Sequence, residues 1–174
     1  TLFRSSAASD VYKRQQFPKG GDLHNHLSGA VYAESYLQWA SEDGKCIDLK
    51  TNVITPPPCD GTMSLKQLMA DSSTQPLEPI IDALSVRNFE RRSVSGHDQF
   101  FATFSRFQTA ALGRFGDMVA EARQRAGRQN MLYLELMISL GMLDVIGLAA
   151  SSGRLDAPFG ERIDHAKVDE IVSQ

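Results

Sequence analysis

A short stretch with the character of a strand, residues 21–26, is followed by segments in which apolar residues recur at helical spacing. Ala33, Tyr36, Leu37 and Ala40 fall on one face of a helix over residues 32–40, and Gly44 supplies its stop. Residues 41–63 read as loop, because Pro56, Pro57 and Pro58 oppose regular structure. Short helical pieces are expected over 64–70 and 77–87. The longest helical pattern runs over 97–126, where Phe100, Phe104, Phe107, Ala111, Phe115, Met118 and Ala122 define one apolar face. Gly113 and Gly116 are placed to kink or split it. The compact apolar run Asn130–Ile138, bounded by Gly127 and Gly141, reads as a strand buried on both faces, as in a parallel sheet. Strand, helical crossover and strand together predict an α/β unit of the βαβ kind.

The two ends fall outside this pattern. Thr1–Gln15 (TLFRSSAASDVYKRQ) has neither the apolar run of a secretion signal nor a sustained period. It reads as a non-native, adapter-derived tail, with a native disordered terminus as the alternative, and neither reading gives it a function. Val168–Gln174 reads as the opening of a helix that stops without a cap. The expectation is a fragment, with residues 16–174 as the N-terminal portion of one domain.

Composition narrows the classes further. At 42% hydrophobic and 22% charged residues the chain lies in the ordinary globular range. A net charge of −3 offers no basic surface for nucleic acid, and no apolar run approaches the roughly 18 residues of a membrane span. Cys46 and Cys59 flank the segment KCIDLKTNVITPPPCDG. Spacing leaves two readings open: a loop-closing disulfide of an oxidising compartment, or two free thiols.

The candidate chemistry sits in PKGGDLHNHLSGA, residues 18–30. Alternate strand residues point the same way, so His24 and His26 present two imidazoles to one side, with Asn25 turned away. A zinc ion bonds histidine nitrogen at about 2.0–2.1 Å, and two such side chains can share it. By itself H-x-H is a weak signal, and a pair of loop histidines near a turn is the plain alternative.

The wider segment PKGGDLHNHLSGAVYAESYL resembles the first strand and following helix of the adenosine deaminase family, in the metal-dependent amidohydrolase superfamily, with the bacterial growth-factor-like branch nearest. DQFFATFSRF resembles that family's F-x-x-x-F helix over the substrate pocket, and MLYLELMIS its second barrel strand. The resemblance implies the N-terminal portion of a TIM-like (β/α)₈ barrel, with the site at the carboxyl ends of its strands. It implies zinc as cofactor, a purine nucleoside as substrate, and hydrolytic release of ammonia from the purine carbon that bears the amino group. His24 and His26 match two zinc ligands. Ser28 stands where many members carry an aspartate on the ribose, and a hydroxyl brings hydrogen bonding without charge. His97, Phe100, Phe101 and Phe104 match an apolar gate above the purine, with plain helix core as the alternative for the phenylalanines. Glu135 matches a strand carboxylate, read here as a hydrogen-bonding group; Met137 stands where an arginine often follows.

The family's remaining ligands and its proton-transferring glutamate come from later strands. Asp164-His165 in ERIDHAKV lacks the glycines and preceding strand of the later histidine motif and reads as a polar helix entry. A barrel of this kind needs about 250 residues, so the chain alone is expected to be inactive. The family's exported bacterial members, with the cysteine pair, favour a periplasmic or secreted protein; free thiols would favour the cytoplasm. Phosphoesterases of the polymerase and histidinol phosphatase type also open with D-L-H-x-H, but they require further histidines soon afterwards. None occurs here between His26 and His97. A barrel portion acting only as a binding or signalling module is the remaining alternative.

Overall fold

The computed structural model describes residues 7–70, 77–91 and 93–139. The chain divides after Met137, and the fold described here belongs to the first unit. Asp164-His165 and the expected helix at 168–174 lie outside the described residues.

Helix α1 (Ala7–Gln16) corrects the reading of the N-terminal stretch as lacking a helical period. Alanine, lysine, arginine and glutamine favour helix locally, so a turn-by-turn apolar face is not required. Its side chains from Val11 to Gln16 are all exposed. Its carboxyl end is closed by Lys19, whose ammonium donates to the carbonyls of Arg14 at 2.8 Å and Gln15 at 3.1 Å. A cation at that end also meets the negative pole of the helix.

Strand β1 (Gly21–His26) leads into a single helical turn, α2 (Leu27–Ala30), and then α3 (Ala33–Glu42). The expected face of α3 is the buried one: Ala33, Tyr36, Leu37 and Ala40 are at most 4% exposed. Gly44 (φ +65°) ends it by donating to Ser41 O at 3.2 Å, while Lys45 N–H reaches Ala40 O at 2.8 Å. These two bonds satisfy carbonyls of the last turn that the helix itself leaves open.

Residues 41–63 contain strands where a loop was expected. β2 (Cys46–Asp48) pairs antiparallel with β3 (Val53–Thr55) and with the two-residue β4 (Met63–Ser64), in the order β3-β2-β4. The signal was present in the β-branched Ile47, Val53 and Ile54. The turn between them is set by Asp48, whose carboxylate accepts from Lys50 N–H at 2.8 Å and Thr51 Oγ1 at 2.9 Å, and by Asn52 at φ 58°. The prolines begin where β3 ends, so they terminate the strand without preventing it. A disulfide joins Cys46 to Cys59, resolving the open reading of the cysteine pair.

The short helices α4 (Leu65–Ala70) and α5 (Glu78–Ala83) occur where expected, followed by a 3₁₀ turn at Phe89–Arg91. The long helical pattern splits at Gly113 (φ +79°) into α6 (Gly96–Ala111) and α7 (Phe115–Arg128). The buried face of α6 is rotated from the expected one: Gln99, Thr103, Phe107 and Ala110 are inside, whereas Phe100 is 40% exposed. Gln99 belongs there because its amide donates to the carbonyls of Asp82 at 3.0 Å and Ser85 at 2.7 Å, closing the end of α5. The core joins Tyr36, Leu37, Ile47, Ile54, Leu65 and Phe107, and the Tyr36 and Phe107 rings stack at 4.5 Å.

Strand β5 (Tyr133–Met137) pairs parallel with β1, as the βαβ reading requires. It is not buried on both faces. Leu134 and Leu136 pack on the core, while Tyr133, Glu135 and Met137 are exposed. The fold is therefore mixed α/β with two small sheets, and the described residues form no closed barrel. Among them no helix is long and apolar enough to cross a membrane.

Arg114, at the start of α7, joins that helix to the end of α3 through Asp43 and also pairs with Asp117 at 3.2 Å. The Arg114 guanidinium, assisted by Lys45, holds the Asp43 carboxyl below its ordinary value of 3.8. A lowered folded pKa gives stability that is complete above the ordinary value and lost as pH falls through the folded one. Urea unfolding of the native chain and Asp43→Asn should therefore differ at pH 7, with the gap closing in that acid window.

Candidate metal half-site

Asp22, His24, Asn25 and His26 of β1 build the centre of the site, and their placement begins with Asp22. Its carboxylate accepts the His24 N–H at 3.3 Å and the Asn25 side-chain amide at 2.8 Å. Those bonds, the Asn25 amide foremost, hold the Asp22 carboxyl below its ordinary range. They fold the strand into a bulge: Asp22 stands opposite Leu134 and Asn25 opposite Leu136, so three steps on β1 span two on β5. The bulge re-aims the side chains that follow it. His24 and His26 are both exposed while Asn25 is half-buried, the alternation expected from the sequence. Asn25 Oδ1, on the inner side, is buried without a hydrogen-bond partner among the described residues.

The imidazoles converge. His24 Nε2 lies 3.0 Å from His26 Nε2, and the ring centroids are 4.9 Å apart. Two imidazole nitrogens approach this closely when one carries a proton and the other a lone pair, or when both direct lone pairs at a shared cation. Zinc bonds of about 2.0–2.1 Å in tetrahedral geometry place ligand nitrogens about 3.3 Å apart. The observed separation is within a few tenths of an ångström of that value, so the pair fits the ion. Neither ring has another hydrogen-bond partner among the described residues. No third histidine, cysteine or carboxylate among them joins the pair into a complete ligand set.

The other residues singled out from the sequence surround this centre unequally. Ser28 lies in α2, and its carbonyl accepts from Tyr36 Oη at 2.8 Å. Phe104 reaches the same turn: a Cβ added at Gly29 would lie 3.4 Å from its ring. From Phe104 an aromatic row extends along α6, with Phe100 at 5.1 Å and Phe101 a further 5.2 Å from Phe100. His97 sits over Phe101 at 4.8 Å, and its Nδ1 meets Asp98 Oδ1 at 3.0 Å. Of these residues, Phe104 alone packs against the core; His97, Phe100 and Phe101 are exposed.

Glu135 is exposed, which corrects its reading as a carboxylate within a buried strand. It accepts from Tyr133 Oη at 2.9 Å, in keeping with a hydrogen-bonding group, and this carboxylate raises the Tyr133 phenol above its usual pKa. Met137 pairs in register with His26. Sequence reasoning passed over Asp22 and Tyr133. The signal for Asp22 was its short side chain two residues before a histidine and three before an asparagine, the spacing at which aspartate accepts local N–H groups. A groove of about 610 Å³ lies elsewhere and is lined by Tyr32, Trp39, Glu121 and Arg125 among others. No protein-family model, curated protein or solved structure matches the chain.

Proposed function

We propose that this chain supplies the opening strands of a zinc-dependent hydrolase of the adenosine deaminase type, acting on adenosine or a related purine nucleoside. The observation that carries the reading is the approach of His24 Nε2 and His26 Nε2 to 3.0 Å at the carboxyl end of a strand in parallel pairing. Enzymes of the (β/α)₈ kind gather their reactive groups at that end of their strands. The sheet adds support. Parallel strands are normally covered on both faces, yet Leu23, Tyr133 and Met137 are 66%, 55% and 43% exposed. A closed barrel would bring those side chains inside, and β1 and β5 are its first two strands in this reading.

In this proposal His24 and His26 hold the metal. Zinc, when bound, supplies the shift of water's pKa toward neutrality that makes hydroxide available near pH 7. The exposed rings of Phe100 and Phe101 offer apolar area for a purine face, with Phe104 anchoring their row beside α2. Ser28 brings a hydroxyl to the ribose. A complete barrel takes about 250 residues, so turnover belongs to a longer chain that carries this segment. The Cys46–Cys59 bond favours the periplasm or the exterior as its compartment.

The test is ammonia release from adenosine by that longer chain, with zinc and after chelation. Zinc-dependent release supports the proposal. Cleavage of phosphate esters without deamination would transfer the site to the phosphoesterases.

A further inference from the structure

The chain leaves His26 through α2, a single helical turn with no side-chain cap at its start. One turn of helix does not fix its own position, because its nucleus costs more than its few hydrogen bonds return. The first half of α2 is fixed by the core, where Leu27 is buried and Tyr36 Oη donates to Ser28 O at 2.8 Å. Its second half is less enclosed: Gly29 is exposed with the Phe104 ring beside it, and Ala30 is half-buried.

The second point comes from α7. The Arg125 guanidinium donates to the carbonyl of Ala30, the last residue of α2, and lies 4.7 Å over the Tyr32 ring. Glu121 Oε1 accepts the Tyr32 N–H at 2.9 Å and pairs with Arg125 at 3.2 Å. Their side chains are only 16% and 20% exposed, so water competes weakly for these bonds. Each group also satisfies the other. Loss of either strands a partly buried charge as well as freeing the turn.

We propose that Glu121 and Arg125 are positioning residues for the His24–His26 pair, acting through the Ala30–Tyr32 turn. The proposal rests on the metal-site reading above. Both ends of α2 are then held, one by β1 and the other by the α7 clamp, and the direction in which His26 leaves its strand is set between them.

The experiment compares Arg125→Gln, Glu121→Gln and Arg125→Lys with Arg114→Gln, which breaks ion pairs at the start of the same helix, away from this turn. Two quantities are read on the whole chain: the nuclear Overhauser contact between the His24 and His26 rings without metal, and the affinity for zinc alone. Loss of a group that orients metal ligands costs roughly 10- to 100-fold in affinity. That loss, with a weakened ring–ring contact, is expected for Arg125→Gln and Glu121→Gln. Arg125→Lys should recover part of both, since its ammonium still reaches one carbonyl. Arg114→Gln should lower the unfolding midpoint and leave both quantities unchanged. The clamp is overturned if folded Arg125→Gln and Glu121→Gln keep the ring contact, or if Arg114→Gln loses it equally. A native chain that takes up no zinc would defeat the metal reading, and the ring contact alone would then decide the clamp.

Discussion

Alanine at His24 or His26 is expected to abolish zinc-dependent deamination by a chain carrying the full barrel, and to remove zinc uptake by this one. The two Nε2 atoms stand 3.0 Å apart, and no third ligand among the described residues joins them. Each imidazole is therefore half of what these residues offer the metal, and a zinc site missing one ligand loses both affinity and geometry. The rings are exposed, so either truncation leaves no cavity and should cost little stability. Loss of activity with an unchanged unfolding midpoint is the expected signature. Equal loss of activity and fold would point to a structural role for the pair.

The second large effect concerns the small antiparallel sheet. The Cys46–Cys59 bond ties β2 to the segment after the prolines across a sequence separation of 13. Closing a loop of that size restricts the unfolded chain by about 3 kcal/mol. Cys46, Ile47 and Ile54 are all fully buried, so the bond ties the segment after the prolines to the buried part of the sheet. Cys46→Ala/Cys59→Ala should lower stability by about 3 kcal/mol in urea unfolding. A difference below about 0.5 kcal/mol would show that the bond adds nothing to the fold.

Residues whose period matches their burial were readable from sequence alone. The face of α3 and its stop at Gly44 follow from spacing and from glycine's freedom at positive φ, and the parallel pairing of β1 with β5 follows from the order strand, helices, strand. Elements set by local side-chain chemistry were harder to read. The β2–β3 hairpin turns on Asp48 and Asn52, and the three prolines that oppose regular structure begin only after its β-branched residues. The face of α6 departs from the phenylalanine pattern because Gln99, a polar residue, is buried where its amide closes α5. At the site, period two placed both imidazoles on one side. It did not reveal the bulge at Asp22 that brings their nitrogens together, because register is a property of two strands.

Zinc titration of the chain, followed through the ring signals of its histidines, tests whether the pair shares one ion. His24 and His26 should respond together, through Nε2, and saturate at one ion for the pair, while His97 on α6 is unmoved. A response of His24 without His26, or of His97 alongside them, would contradict a shared ion at this strand end.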